Sequence, residues 1–195
     1  AIGTVGRLRL HRSEAIAGDL LVASGSHGLS RLGLALLQQE PIALKKPLQE
    51  KLISDAIKAH KRPHPPLEAL RKLQECKPIE LPWRAAGTDS SDGLLNAIEN
   101  ICNSSKCQAE LDLEKLPRAQ NWPLGSHWDE WCLNGGEDFE LILSMPPKWA
   151  KELIISLPSS RIIGIIKSGP PKVFAKNGDE IKESNMMEFK HFWFY

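Results

Sequence analysis

The spacing of apolar residues predicts short strands and amphipathic helices that alternate along most of the chain. Apolar positions three and four residues apart, which are typical of helices, recur in residues 29–37, 45–60, 67–76, 94–103 and 147–157. Alternating or short continuous apolar runs predict strands at residues 4–10, 19–23, 85–88, 108–113, 139–144, 161–167 and 172–175. This alternation is typical of one α/β or α+β layered domain. The pattern leaves the order and direction of the strands open.

Three segments interrupt this pattern. Residues 61–66 carry three prolines, which force an extended connection after the helix predicted at 45–60. Residues 116–127 have no regular spacing of apolar positions and are predicted to be irregular. Residues 189–195 carry five aromatic rings. These rings either pack onto the body of the domain or form a stacking wall for a flat ligand.

Composition narrows the class of protein. The 195 residues are 42% hydrophobic and 25% charged, as in ordinary globular proteins. A net charge of +1 argues against binding to nucleic acid or to an anionic membrane. No apolar run approaches the length of a membrane span. The four cysteines are scattered and form no C-x-x-C pair, which argues against zinc and favours a reducing, cytoplasmic compartment.

The strongest candidate for chemistry is the segment Thr88-Asp89-Ser90-Ser91-Asp92-Gly93-Leu94, which precedes a predicted helix. Two carboxylates about 5 Å apart repel by roughly 3 kcal/mol at an effective dielectric constant near 20. A helix N-terminus offsets only about 0.3–1 kcal/mol of this repulsion. A cation with oxygen ligands, of which Mg²⁺ is typical, offsets the rest. Alternatively, Asp89 is a helix N-cap in an imperfect capping box worth about 1 kcal/mol. The spacing leaves both interpretations open.

Three other polar segments also have ordinary interpretations. Arg12 is a lone arginine in a connecting loop, typical of a solvated surface charge. The serines and glycines of residues 24–30 either offer backbone N–H groups to an anion or form an ordinary entry loop for the next helix. In residues 134–141, paired glycines permit positive φ angles and a close approach to a ligand. The acidic pair that follows them, Glu137 and Asp138, is equally typical of a solvated turn.

Taken together and in order, these segments resemble the thiamine-monophosphate kinase family. That family belongs to a superfamily with aminoimidazole-ribonucleotide synthetase, selenophosphate synthetase and a hydrogenase maturation factor. The matching pieces are Arg12-Ser13-x-Ala15-x-x-Gly18-Asp19, Ser24-Gly25 with Gly28 and Gly33-Leu34, His60 with Arg62-Pro63 and Pro65, Asp89-Ser90-Ser91-Asp92-Gly93-Leu94, Leu111-Asp112 with Leu116-Pro117, Gly135-Gly136-Glu137-Asp138-Phe139-Glu140-Leu141, and a terminal aromatic-x-His-Phe.

The resemblance implies an α+β fold of the aminoimidazole-ribonucleotide synthetase C-terminal type, with a mixed sheet packed against helices. Residues 1–195 are then a single C-terminal domain, and an N-terminal domain that binds ATP and Mg²⁺ is expected outside this chain. The full-length protein is expected to be a homodimer that transfers the γ-phosphoryl group of ATP to thiamine monophosphate, giving thiamine diphosphate. The isolated chain is expected to be inactive. The alternatives are a ligase or maturation factor of the same superfamily, or a fragment with no activity alone.

The resemblance also assigns roles to residues by motif position. Asp89 and Asp92 are expected to hold Mg²⁺, whereas Arg12 and Ser91 are expected to contact ATP. No residue is assigned as catalytic, because phosphoryl transfer relies on positioning and charge neutralisation. The substrate contacts are expected to be Glu137, whose carboxylate could accept a hydrogen bond from an aminopyrimidine, and the terminal aromatic Phe189, for which a shifted register gives Trp193.

Three residues depart from the family pattern. Lys190 stands where an acidic residue is usual, and His27 and Arg31 stand where smaller or acidic residues are common. These departures concern the substrate side of the expected site rather than its metal side.

Overall fold

The computed structural model describes residues 9–45 and 47–182. Within these ranges the chain forms six strands, seven α-helices and two 3₁₀ turns. The strands are β1 (Leu20–Ala23), β2 (Ala86–Asp89), β3 (Gln108–Leu111), β4 (Leu141–Met145), β5 (Arg161–Lys167) and β6 (Val173–Ala175). The helices are α1 (Leu29–Leu37), α2 (Pro41–Leu44), α3 (Glu50–Lys61), α4 (Leu67–Glu75), α5 (Leu94–Ser105), α6 (Ser126–Asn134) and α7 (Pro147–Ser156). The 3₁₀ turns are Arg12–Glu14 and Leu113–Lys115.

The six strands form one mixed sheet in the order β2-β4-β1-β5-β3-β6. The first four neighbouring pairs are antiparallel, and β3 and β6 are parallel. Strand β4 is buried along its whole length, as expected for a strand covered on both faces. The predicted α+β class and mixed sheet are therefore confirmed.

Helices cover both faces of this sheet because successive strand residues point to opposite sides. Leu21 and Ile142 lie in a core with the apolar side of α5. Their neighbours Val22 and Leu143 lie in a second core with α4 and α7. A third cluster, built around Trp122, Trp128 and Trp131, packs between α1, α3 and α6. No helix in the described ranges has the length and apolarity to cross a bilayer.

The element boundaries differ from the predictions in several places. The helix predicted at 45–60 begins at Glu50, and α2 precedes it as a separate short helix. Helix α6 begins at the end of the segment predicted to be irregular, and no element was predicted for the rest of it. The strand predicted at 139–144 begins at Leu141, because Phe139 has a φ of 55°, outside the range of a strand. Most of the strand predicted at 4–10 lies outside the described residues, and His11 pairs with Ala86 in an isolated parallel bridge.

Candidate functional site

The segment 89–94 forms a tight turn between β2 and α5. Asp89 is the last residue of β2, and the N–H of Gly93 donates to the carbonyl of Ser90 at 3.0 Å. Helix α5 begins at Leu94, with Gly93 as its N-cap at a φ of 106°. The prediction that Asp89 caps this helix is wrong, since the turn separates its carboxylate from the first helical residue. Asp89 and Asp92 are both exposed and are free to contact a ligand.

Hydrogen bonds hold the Asp89 carboxylate in its charged form. The hydroxyl of Ser91, followed by the N–H of Asp89 and the hydroxyl of Thr88, holds the pKa of Asp89 below its usual value against the opposing effect of burial. The Nε of Arg12 donates to the same Thr88 hydroxyl at 3.0 Å, and that hydroxyl lies 3.4 Å from Oδ1 of Asp89. The structure thus brings Arg12, Asp89, Ser91 and Asp92 to one surface.

The opposite end of α5 fixes the segment that carries Arg12. The hydroxyl of Ser105 donates to the carbonyl of Arg12 at 2.7 Å and accepts from the N–H of Ala15 at 3.0 Å. A few residues later, the N–H of Ile16 donates to the buried carboxylate of Asp19 at 3.0 Å. Helix α5 therefore supports the candidate site at both ends, through its entry turn and through Ser105.

The second acidic segment lies directly against the first. The N–H of Glu137 donates to the carbonyl of Ser91 at 2.7 Å, and the N–H of Ser90 donates to the carbonyl of Glu140 at 2.9 Å. A Cβ atom on Gly136 would approach the Ser91 carbonyl oxygen to 3.0 Å, so glycine allows this close contact. Glu137 and Phe139 both have positive φ angles, of 60° and 55°. Non-glycine residues seldom adopt this conformation, which marks the turn as strained.

Asp138 ties this strained turn to the N-terminus of α1. Its carboxylate accepts the N–H of Gly28 at 2.7 Å and the N–H of Ser30 at 3.0 Å. Burial raises the pKa of Asp138 to about 7, although these two N–H groups act in the opposite direction. The Asp138 carboxylate thus takes up N–H groups of the segment 24–30 that could otherwise bind an external anion. This contact favours the interpretation of residues 24–30 as a helix-entry loop.

The two described departures from the family pattern are both buried. His27 is fully buried, and burial lowers its pKa to about 4, so the ring is neutral at physiological pH. Its Nε2 lies 2.9 Å from the Ser90 hydroxyl, and its Nδ1 lies 3.2 Å from the Gly25 carbonyl. Arg31 pairs with Glu40 at 2.8 and 2.9 Å, and its guanidinium carbon lies 4.5 Å from the centre of the Trp131 ring. No local pattern of residues indicates either set of contacts.

A cleft of about 200 Å³ opens beside Glu137. One part of its lining is acidic, with Glu137, Asp138 and Glu140. The part from α3 and its C-cap carries Lys58 and Arg62, together with Asp55, whose charge is paired with Lys51. Within residues 9–45 and 47–182, the side chains of Lys58 and Arg62 have no hydrogen-bond or ion-pair partner. The cleft therefore offers charges of both signs to a ligand.

Two further expectations concern the terminal aromatic contact and the metal site. Phe189 and Trp193 lie outside the described residues. In the part of the chain that the structure describes, no group of three or more histidines, cysteines or acidic residues is arranged to hold a metal ion. Asp89 and Asp92 alone offer two carboxylates, which are only part of a coordination shell for a divalent cation.

Comparison with known proteins agrees with this architecture. A thiamine-monophosphate kinase from Prochlorococcus marinus is 51% identical over 98% of this chain and 58% of its own length. Thiamine-monophosphate kinase from Stenotrophomonas maltophilia K279a superposes with a TM-score of 0.73, at 28% identity over 91% of this chain and 56% of that one. The structure of AaThiL complexed with AMPPCP and TMP gives a TM-score of 0.68, at 27% identity over 87% of this chain and 51% of that one.

These relatives also define the extent of the match. The chain spans about half the length of the curated relatives it matches. The family described as AIR synthase related protein, C-terminal domain, matches residues 17–175, which include both acidic turns. The chain belongs to this family of AIR synthase related C-terminal domains.

Proposed function

We propose that this chain is the C-terminal domain of a thiamine-monophosphate kinase, which transfers the γ-phosphoryl group of ATP to thiamine monophosphate and gives thiamine diphosphate. The observation that carries the proposal is the direct main-chain contact between two acidic turns, where Glu137 donates to Ser91. This contact sets Glu137, which is expected to contact thiamine monophosphate, next to the turn that is expected to bind Mg²⁺ and ATP, and phosphoryl transfer depends on holding the two substrates close together. The 51% identity with a named thiamine-monophosphate kinase supports the choice of substrate.

In this proposal, Asp89 and Asp92 hold Mg²⁺. Their oxygen atoms are exposed, and the hydroxyl of Ser91 favours the charged form of Asp89. Mg²⁺ is commonly bound through one or two carboxylates together with water and substrate phosphates, so a pair of protein ligands fits this ion. When bound, Mg²⁺ neutralises charge on the phosphates. Arg12 and Ser91 contact ATP from the same surface, and Arg12 supplies a permanent positive charge that suits phosphate oxygens.

Glu137 and the terminal aromatic are assigned to the thiamine monophosphate site. The Glu137 carboxylate is exposed at the cleft and is suited to accept a hydrogen bond from an amino group of the pyrimidine ring. Phe189, or Trp193 in a shifted register, would add a ring that stacks on the substrate. Transfer then depends on the relative placement of the two substrates, because positioning and charge neutralisation supply most of the catalysis of phosphoryl transfer.

The proposal extends to parts of the protein beyond these residues. An N-terminal domain would supply the remaining Mg²⁺ ligands and most of the ATP site, and the complete enzyme would be a homodimer. The incomplete ligand set of the described residues supports an inactive isolated chain. The four cysteines Cys76, Cys102, Cys107 and Cys132 are free thiols, which fits a cytoplasmic compartment.

The test uses the complete enzyme with Asp89→Ala and Asp92→Ala. Each variant is expected to lower kcat/KM for thiamine monophosphate about a hundredfold or more, because an interaction made mainly in the transition state is lost. Glu68→Ala is the matched control, since this exposed carboxylate lies on α4, against the opposite face of the sheet. Normal phosphorylation by both aspartate variants would show that the assignment is wrong. A substrate panel with turnover only of an aminoimidazole precursor would favour the ligase.

A further inference from the structure

His27 is held by hydrogen bonds to two different parts of the fold. It lies in the loop between β1 and α1 and is fully buried. The carbonyl of Gly25, 3.2 Å from Nδ1, can only accept a hydrogen bond, so Nδ1 must carry the ring proton. A neutral ring then has an unprotonated Nε2, which accepts the hydroxyl proton of Ser90 at 2.9 Å. The contacts of the ring therefore fix its tautomer.

Ser90 is the inward-facing residue of the Asp89–Asp92 turn. It is fully buried, whereas Asp89 and Asp92 are exposed. Its N–H donates to Glu140 at 2.9 Å, and its carbonyl accepts from Gly93 at 3.0 Å. Among its hydrogen bonds, the one to His27 is made by its side chain, and it joins the turn to the loop that precedes α1.

We propose that His27 is a positioning residue that fixes the Asp89–Asp92 turn through the hydroxyl of Ser90. The inference rests on the proposed function, because it concerns how the turn presents its carboxylates to a divalent cation. The bond to Nε2 holds Ser90 inward, and this orientation directs the flanking carboxylates outward as a pair. Losing the bond lets the turn shift, and a displacement of about 1 Å near reacting groups lowers rates by up to about 10²-fold.

Two substitutions of His27 distinguish a positioning role from a role in packing alone. His27→Asn retains a donor near the position of Nδ1, for the Gly25 carbonyl, but does not reach Ser90. His27→Gln places an acceptor near the position of Nε2, for Ser90, but gives up the bond to Gly25. Ser90→Ala removes the same contact from the other side. If His27 served only to fill space, the Gln variant, which keeps the contact with Ser90, would have no systematic advantage over the Asn variant, which loses it.

The experiment measures divalent-cation binding and activity in the complete enzyme. Mn²⁺ affinity is determined by titration with electron paramagnetic resonance detection, which needs no substrate, and the Mg²⁺ activation constant is determined from kcat. His27→Asn and Ser90→Ala are each expected to weaken Mn²⁺ binding and to raise the Mg²⁺ activation constant about tenfold, whereas His27→Gln recovers most of the loss. In the double variant His27→Asn/Ser90→Ala the two losses are expected not to multiply, because both remove one contact.

Leu153→Ala is the control for lost stability. Leu153 is fully buried in the core on the opposite face of the sheet, so this variant lowers Tm without contacting the turn. Its Mn²⁺ affinity is expected to equal that of the wild type. Wild-type Mn²⁺ affinity in His27→Asn and Ser90→Ala overturns the inference, as does a wild-type enzyme that binds no Mn²⁺. A wild type that binds Mn²⁺ but does not phosphorylate thiamine monophosphate contradicts the proposed kinase function alone.

Discussion

Replacement of Asp19 by alanine should strongly destabilise the fold. Asp19 is only 3% exposed and forms a paired contact with Arg84, at 2.6 and 2.7 Å. Its Oδ2 also accepts the hydroxyl of Ser144 at 3.1 Å and the N–H of Ile16 at 3.0 Å. Alanine leaves the Arg84 guanidinium, which is 21% exposed, without its counter-charge. Breaking a buried pair from one side costs about 3–5 kcal/mol, a large part of the total stability of a domain.

The measurement is urea unfolding of the chain, followed by far-UV circular dichroism and analysed for the free energy of unfolding and its urea dependence. Asp55→Ala is the matched control, because Asp55 pairs with Lys51 at 2.8 Å on the surface of α3 with 47% and 75% of the two side chains exposed. Such exposed helical pairs contribute about 0.3–0.5 kcal/mol. Equal losses in the two variants would refute the reasoning. A further check is the double variant Asp19→Ala/Arg84→Met, which leaves no unpaired charge and should recover part of the loss.

Three further predictions concern the site itself. The pKa of His27 falls from 6.5 to about 4 on folding, so between these pH values the unfolded chain binds a proton that the folded chain does not. His27 alone therefore lowers the free energy of unfolding as pH falls from about 6.5 to 4, by up to about 1.4 kcal/mol per pH unit, whereas the raised pKa of Asp138 acts in the opposite direction over the same range. The His27 contribution is isolated by comparing urea titrations of the wild type and His27→Gln, and the free energy of unfolding of the variant relative to the wild type should rise as pH falls. Gly25→Ala would place a Cβ atom against the carboxylate of Glu140, which would have to move and give up the hydrogen bond from the Ser24 hydroxyl; a loss of about 1–3 kcal/mol is expected, and an unchanged Tm would contradict this reasoning. Glu137→Gln should raise KM for thiamine monophosphate about tenfold, because a charge-assisted hydrogen bond is lost, with KM for ATP unchanged as the internal control.

The sequence predicted the elements whose signal is local. Helix α5 has apolar residues at helical spacing, and each acidic turn is contiguous in the chain, so both were recognisable as patterns. Helix α6 was missed because it is nine residues long and has tryptophans among polar residues. The capping role of Asp89 was wrong because a glycine with a positive φ, Gly93, starts the helix instead.

Long-range contacts within the site could not be predicted in the same way. Ser90 is 63 positions from His27, and Asp138 is 110 positions from Gly28. Only the fold brings these pairs together, and no local spacing encodes which buried donor meets which acceptor. The resemblance identified which segments matter but gave no indication that His27 contacts one of them.

The hydrogen bond between Glu137 and Ser91 has a consequence for mutational tolerance. Both partners are main-chain groups, so the bond survives exchange of either side chain, and at position 137 only proline removes the donor. The φ of 60° at Glu137 further restricts which residues can replace it, because glycine, asparagine and aspartate adopt this conformation more readily than β-branched residues do. The side chain at position 137 can therefore change, and with it the group presented to a substrate, while the main-chain hydrogen bond keeps the two turns at the same distance.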